Sequence, residues 1–176
     1  MENVKKNFVI AVGMMAFVFV QTLTFAQNNL AEFMTKWENG KQFTLEVVEK
    51  MPDHLLAYKP HETAMSFTEQ IIHLSSAMAG MSQRFLNGEK PNFDLGAKPT
   101  SKADLKTFVA NCYDYVTVTV SKLNDAQMAE KVDVFGNSAT RRQALALIDD
   151  HTTHHRGAAI FYIRSNGIDP PGFRAM

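Results

Sequence analysis

The feature that most constrains this chain is a dense run of histidine on a helical pattern. Three of its six histidines, His151, His154 and His155, fall within five consecutive positions. Around them Ala144, Leu145, Leu147 and Ile148 upstream, and Ala158, Ala159, Tyr162 and Ile163 downstream, recur at the spacing of one helix face. His151 and His155 are in register with that face, in the series Ala144, Ile148, His151, His155, Ala158, Tyr162. Residues four apart on a helix are neighbours, with Cβ atoms roughly 5–6 Å apart. Two imidazoles therefore point from one helix into the interior, at a spacing that lets both bind one metal ion. His154 is rotated about 100° from His155 and is the weaker candidate. One buried histidine is ordinarily a hydrogen-bonded core residue. Two on an apolar face bring several nitrogens that each need a partner. On this segment alone both readings stay open, and a third inward histidine is what would separate them.

The rest of the chain frames that search. Its 176 residues suffice for one domain with a sizeable core, and 45% hydrophobic against 20% charged residues is an ordinary globular balance. Net charge is zero, with no basic run, which argues against nucleic acid, whose binders neutralise phosphate. The single cysteine, Cys112, excludes an internal disulfide and a cysteine-rich metal site, and in its apolar stretch it reads as a small buried hydrophobe.

Residues 1–26 have the three parts of a secretory signal peptide. Lys5 and Lys6 give a positive start, Phe8 to Val20 is uncharged and apolar, and small residues stand at Thr24 and Ala26. The apolar run is short for a membrane span, which needs about 20 residues. Cleavage is expected after Ala26, followed by export to the periplasm or the medium. The mature product, residues 27–176, would then form the folded domain, with no stable membrane span. An uncleaved anchor is the alternative. Removing Glu2, Lys5 and Lys6 shifts the net charge from zero to −1.

Four amphipathic helices are predicted, near 29–49, 66–87, 101–123 and 140–165. The first carries Leu30, Phe33, Met34, Trp37, Leu45 and Val48 as its apolar stripe. Pro52 and Pro60 keep the following loop from helix, and His54 and His61 within it read as exposed. Ser66-Phe67-Thr68-Glu69 is a capping box that opens the second helix, which Gly88 can end. His73 flanks that helix's apolar stripe, in line with Glu69, Gln70, Ala77 and Gly80, of which the small Ala77 and Gly80 allow a close neighbour. It is the third inward histidine. A loop with Pro91, Gly96 and Pro99 precedes the third helix, whose run Val116 to Val120 is β-branched and a weak helix former. Met128 to Phe135 reads as a short strand or extended loop and Gly136-Asn137 as a turn. Thr140 to Gln143 is a second capping box, opening the histidine helix, and Gly167 with Pro170-Pro171 closes it. The predicted fold is all-α, a four-helix bundle with long crossover loops, an architecture that builds metal sites from inward residues on different helices.

Two stretches resemble the DinB/YfiT-like superfamily. One is His151-x-x-His154-His155-Arg156-Gly157 with Tyr162-Ile163-Arg164 and Gly167-Ile168-Asp169-Pro170-Pro171. The other is Met65-Ser66-Phe67-x-Glu69-x-Ile71-x-His73-Leu74, preceded by Tyr58-Lys59-Pro60. The resemblance covers most of residues 28–173. It implies a four-helix bundle with a metal held by one histidine of the second helix and two of the fourth, here His73, His151 and His155. Members are described as metal-dependent hydrolases, and some relatives transfer low-molecular-weight thiols or isomerise thiol adducts. This chain departs from them in its export signal, since such thiols are mainly cytoplasmic.

Three neutral imidazoles suit divalent transition metals, with zinc, nickel or iron the leading choices. They leave positions open for water or a small substrate, the pattern of catalytic rather than structural sites. The run His-Thr-Thr-His-His lacks the glutamate of a His-Glu-x-x-His protease, and neither a Gly-x-Ser-x-Gly elbow nor a phosphate loop occurs. Glu69, one turn before His73, is the best carboxylate for a catalytic role, against a purely capping one. The expectation is an exported, hydrolase-like metal-dependent enzyme acting on a small molecule, with homodimer formation left open. The alternatives are a metal-binding or stress-response protein without turnover, and a thiol-dependent transferase.

Overall fold

The computed structural model describes residues 30–174. The signal-peptide segment and its cleavage point lie outside them. The chain divides into two compact units, residues 1–35 and 36–176. Of the first, residues 30–35 are described and are helical; the second is the bundle. Five α-helices occur among the described residues: α1 (30–50), α2 (Phe67–Phe85), α3 (Lys102–Ser121), α4 (Asp125–Ala129) and α5 (Arg141–Ser165). Strands β1 (Lys131–Val134) and β2 (Asn137–Thr140) form one antiparallel hairpin between α4 and α5. The fold is an all-α bundle.

Residues 36–50 of α1 lie beside α3, where Trp37 Nε1 donates to the Tyr113 carbonyl at 3.3 Å and Lys106 pairs with Glu49 at 2.7 Å. They also meet α5, where Lys36 pairs with Asp149 and Arg156 donates to the Gly40 carbonyl at 3.4 Å. On the other side α2 packs against both α3 and α5. The interior between them is apolar: Val47, Ile71, Leu74, Met78, Val109, Val116, Ile148 and Ile163 are all fully buried. Burying each such side chain contributes about 1.5–3 kcal/mol. The β-branched stretch of α3 stays helical because Val116, Thr119 and Val120 face this core, so packing overrides weak local propensity.

Helix ends match the predicted caps to within two residues. Ser66, Ser101 and Thr140 each accept from the backbone N–H three residues on. The end of α2 differs in mechanism. Asn87, not Gly88, takes the left-handed conformation, with φ of 62°. Gly88 is needed for space: a Cβ there would lie 2.2 Å from Tyr115 Oη, which donates to the Glu89 carbonyl at 2.6 Å. The segment read as a strand or loop resolves into a helical turn and a strand. Its signal was the Asn124–Gln127 capping box. The hairpin turn is Phe135-Gly136 rather than Gly136-Asn137, with φ of 53° and 86°. Phenylalanine is unusual there; its ring packs edge-on against Phe85 at 5.1 Å.

Two outcomes test this packing. Gly88→Ala must displace Tyr115 and is expected to destabilise by about 1–3 kcal/mol, read as a lower urea midpoint. Burial pushes the Cys112 thiol up to about 12. At pH 8 the folded protein is expected to resist thiol reagents and to label only as fast as it unfolds. Prompt labelling of folded protein would contradict the buried placement.

Candidate metal centre

Two helices deliver the histidines, and each is phased by its own cap. At the start of α2 the Ser66 N–H donates to Glu69 Oε2 at 2.7 Å, and the Glu69 N–H donates back to Ser66 Oγ at 3.2 Å. At the start of α5 the Thr140 N–H donates to Gln143 Oε1 at 2.8 Å, and the Gln143 N–H to Thr140 Oγ1 at 3.2 Å. Two long-range bonds then hold the helices side by side. Arg141 donates to the Phe85 carbonyl at 2.7 Å, joining the start of α5 to the end of α2. Tyr162 Oη donates to the Met65 carbonyl at 3.1 Å, joining the other end of α5 to the residue before the α2 N-cap. Between these clamps His73 faces His151 and His155.

The three rings form a tight cluster. Centroids are 5.1 Å apart for His73 and His151, 4.5 Å for His73 and His155, and 4.4 Å for His151 and His155. One ligand nitrogen from each lies within 4.8 Å of the other two. The His151 and His155 Nε2 atoms are 3.1 Å apart, inside the 3–4 Å range characteristic of nitrogens that share one ion. All three residues are half-buried. Burial, more than the neighbouring imidazoles, pushes His151 down and His155 to about 4. His151 and His155 are thus biased toward the neutral form, the protonation state a metal requires.

The cluster passes a chemical test for a metal. Its donors are imidazoles with no carboxylate among them, a set suited to a transition metal rather than calcium or magnesium. His151 Nδ1 is buried and has no hydrogen-bond partner. An unsatisfied buried polar atom costs about 1–3 kcal/mol.

Gln70 is the residue that sequence reading passed over. It is buried, three positions before His73 on the same side of α2, and its amide nitrogen Nε2 lies 2.6 Å from His155 Nδ1. With the amide rotated by 180°, which exchanges its nitrogen and oxygen, Oε1 would accept the Nδ1 proton and leave the Nε2 lone pair free for an ion. This is the usual support behind a metal-binding histidine. A buried amide at i−3 from a candidate ligand was the available signal.

The other candidates are not among the three converging rings. His154 is exposed and only touches His155 edge-on, at 4.9 Å between centroids. His54 and His61 are exposed on the first crossover loop. Glu69 is occupied by its cap and by Lys59 at 3.5 Å. The Ser66 backbone and side-chain bonds, with Lys59, hold its carboxyl below the usual range, unsuited to accepting a proton near neutrality. A cavity of about 710 Å³ opens against His73 and Glu69, walled also by Leu56, Met65, Ile72 and Pro99. That is the size of a small-molecule site. A second cavity, about 600 Å³ between residues 86–93 and α3, has no histidine in its wall.

The model of the DinB family matches residues 24–176. The chain belongs to the DinB family. It is 26% identical over 139 residues to the uncharacterized protein YjoA of Bacillus subtilis, a span of 77% of this chain and 90% of that relative. Solved DinB-like structures share the fold. One from Bacillus cereus gives a TM-score of 0.70 at 18% identity, covering 81% of this chain and 95% of that one. YjoA itself gives 0.68 at 23% identity, covering 82% and 99%. A DinB family member from Shewanella denitrificans gives 0.57 at 17%, covering 88% and 96%.

Gln70 supplies a test within this DinB-family site. Gln70→Leu keeps the volume and removes the acceptor. It is expected to weaken metal affinity about 10–100-fold without loss of helix content. Cobalt(II) absorption titration reads the first quantity and circular dichroism the second. Unchanged affinity would show that Gln70 does not orient His155.

Proposed function

We propose that this DinB-family protein is an exported metalloprotein in which His73, His151 and His155 hold one divalent transition ion for hydrolase-like chemistry on a small molecule. The observation that carries the reading is the convergence of three half-buried imidazoles from two helices, with no carboxylate among them. A bound ion of this kind supplies a Lewis acid with coordination positions left open to a substrate. The protein residues do the rest. Gln70 orients His155, burial keeps His151 and His155 neutral, and the cavity beside His73 receives the body of the substrate.

A second reading has its own support. Glu69 is tied into its cap, and no other carboxylate joins the histidine group among the described residues. That favours metal binding without turnover, in a stress or damage response. A thiol-dependent transferase is the third reading, disfavoured by the export signal. Residues 1–26 motivate the export assignment, for which the mature protein is expected to begin at Gln27 by intact mass. A full-length cytoplasmic product would overturn it.

The site is tested by metal stoichiometry after purification without chelator. His73→Ala, His151→Ala and His155→Ala are expected to lose the metal, and His154→Ala to keep it. Chelation should lower the melting temperature of the wild type and of His154→Ala, but leave the other three unmoved. Saturation at about 100 times Kd is worth about 2.7 kcal/mol. Full retention of metal by His73→Ala would sink the three-histidine site. With metal retained as expected, a broad substrate screen separates an enzyme from a binding protein.

A further inference from the structure

The cavity of about 600 Å³ between residues 86–93 and α3 takes no part in the histidine site, and specific contacts hold its walls apart. Tyr115 Oη donates to the Glu89 carbonyl at 2.6 Å, and Lys122 pairs with the Glu89 carboxylate at 2.7 Å. Both tie the loop after α2 to α3. Asn87 turns that loop in the left-handed conformation, and the bare Cα of Gly88 makes room for Tyr115. Phe93 is half-buried and stands nearly perpendicular to Phe108 and to Tyr115, at 87° and 81°, with centroids 6.4 Å apart in both pairs. Two crossed neighbours fix the plane of its ring. A smaller cavity of about 360 Å³ shares Phe93 and Asn111 with the first. The two are bays of one groove along α3, and Phe93 stands where they meet.

The chemistry of the larger bay selects a neutral ligand. Its charged wall residues are two acids and two bases. Glu89 is paired with Lys122, and Asp114 with Lys41 at 2.5 Å. A wall balanced in this way gives no charged ligand an advantage. Asn87, Asn92 and Asn111 also line it, all exposed, and none has a side-chain hydrogen bond among the described residues. A carboxamide offers two donors and one acceptor oxygen, so it is best answered by groups that both give and take protons. Beside these amides the wall is apolar: Leu86 and Leu123 are buried, and Val118 is 53% exposed. We infer that the groove binds a neutral oligosaccharide. A sugar ring has an apolar C–H face for Phe93 and Val118 and a rim of hydroxyls for the three asparagines. A single bay is already the size of a small-molecule site, so two in line suit a chain of sugar units. An extended peptide fits less well, because neither β1 nor β2 lines the groove to pair with its backbone. The inference does not depend on metal binding.

The probes are maltohexaose, cellohexaose, mannohexaose and chitohexaose, titrated calorimetrically into the purified protein. At least one is expected to bind with Kd below about 1 mM, and its disaccharide, which fills one bay, at least about tenfold more weakly. Phe93→Ala should weaken binding of that hexasaccharide at least about tenfold. Asn111→Ala should weaken it at least about threefold. Asn111 is exposed, so its replacement leaves the fold intact and keeps the result interpretable if Phe93→Ala melts early. His73→Ala should bind the sugar as the wild type does, which separates this groove from the metal centre. In nitrogen-15 NMR spectra the side-chain amide signals of Asn87, Asn92 and Asn111 should move on saturation. The inference is overturned if no hexasaccharide binds at about 10 mM, or if binding survives both Phe93→Ala and Asn111→Ala. Tighter binding of the uncharged peptide N-acetyl-trialanine amide than of any of the sugars would overturn it too.

Discussion

The site depends above all on the alignment of α5 against α2. Two hydrogen bonds at opposite ends set it, from Arg141 to the Phe85 carbonyl and from Tyr162 to the Met65 carbonyl. A slide of one helical turn is about 5.4 Å, more than the 4.8 Å within which the three ligand nitrogens gather. Core contacts alone are poor at excluding such a slide, because one aliphatic ridge resembles the next. Directional bonds to backbone carbonyls at both ends are not so interchangeable. The Phe85 carbonyl is one of the last-turn acceptors that α2 leaves over, so the Arg141 clamp also satisfies it.

The interior around the cluster then decides its charge. Taking imidazoles out of water disfavours the protonated form, and three rings in contact disfavour it further. His155 is accordingly held far below an ordinary histidine. The same burial leaves His151 Nδ1 without a partner, while Gln70 serves the equivalent atom of His155. The two α5 histidines are therefore not equivalent. One is braced by a neighbouring helix through its Nδ1 and the other is not.

Most of this was legible in the chain because the signals were local. The spacing of His151 and His155, the small residues after His73, and the Ser66 and Thr140 boxes each occupy a few positions and fix a helix start or face. What was not legible depended on distant partners. Gln70 looked like any polar residue on a helix flank until α5 placed a ring beside it. Gly88 carried the expected punctuation for a helix end, but for a reason set by Tyr115 on α3. The Val116 to Val120 stretch could not be judged from propensity, since burial against the core settles it. Asn124–Gln127 was readable and was overlooked because its helix is only five residues long.

The capping boxes have one further consequence. His73 is seven residues beyond Ser66, and His151 is eleven beyond Thr140. At 3.6 residues per turn these separations are close to two and three whole turns. Each ligand thus sits almost directly below the residue that starts its helix, like marks on a scale whose zero is the cap. The loops ahead of the caps can lengthen or shorten over evolutionary time while the zero, and hence the orientation of each imidazole, stays put. A single residue gained or lost between cap and ligand would instead swing that ring by about 100°. Variation in length among homologues should therefore gather in the crossover loops and spare the short interiors from Ser66 to His73 and from Thr140 to His155.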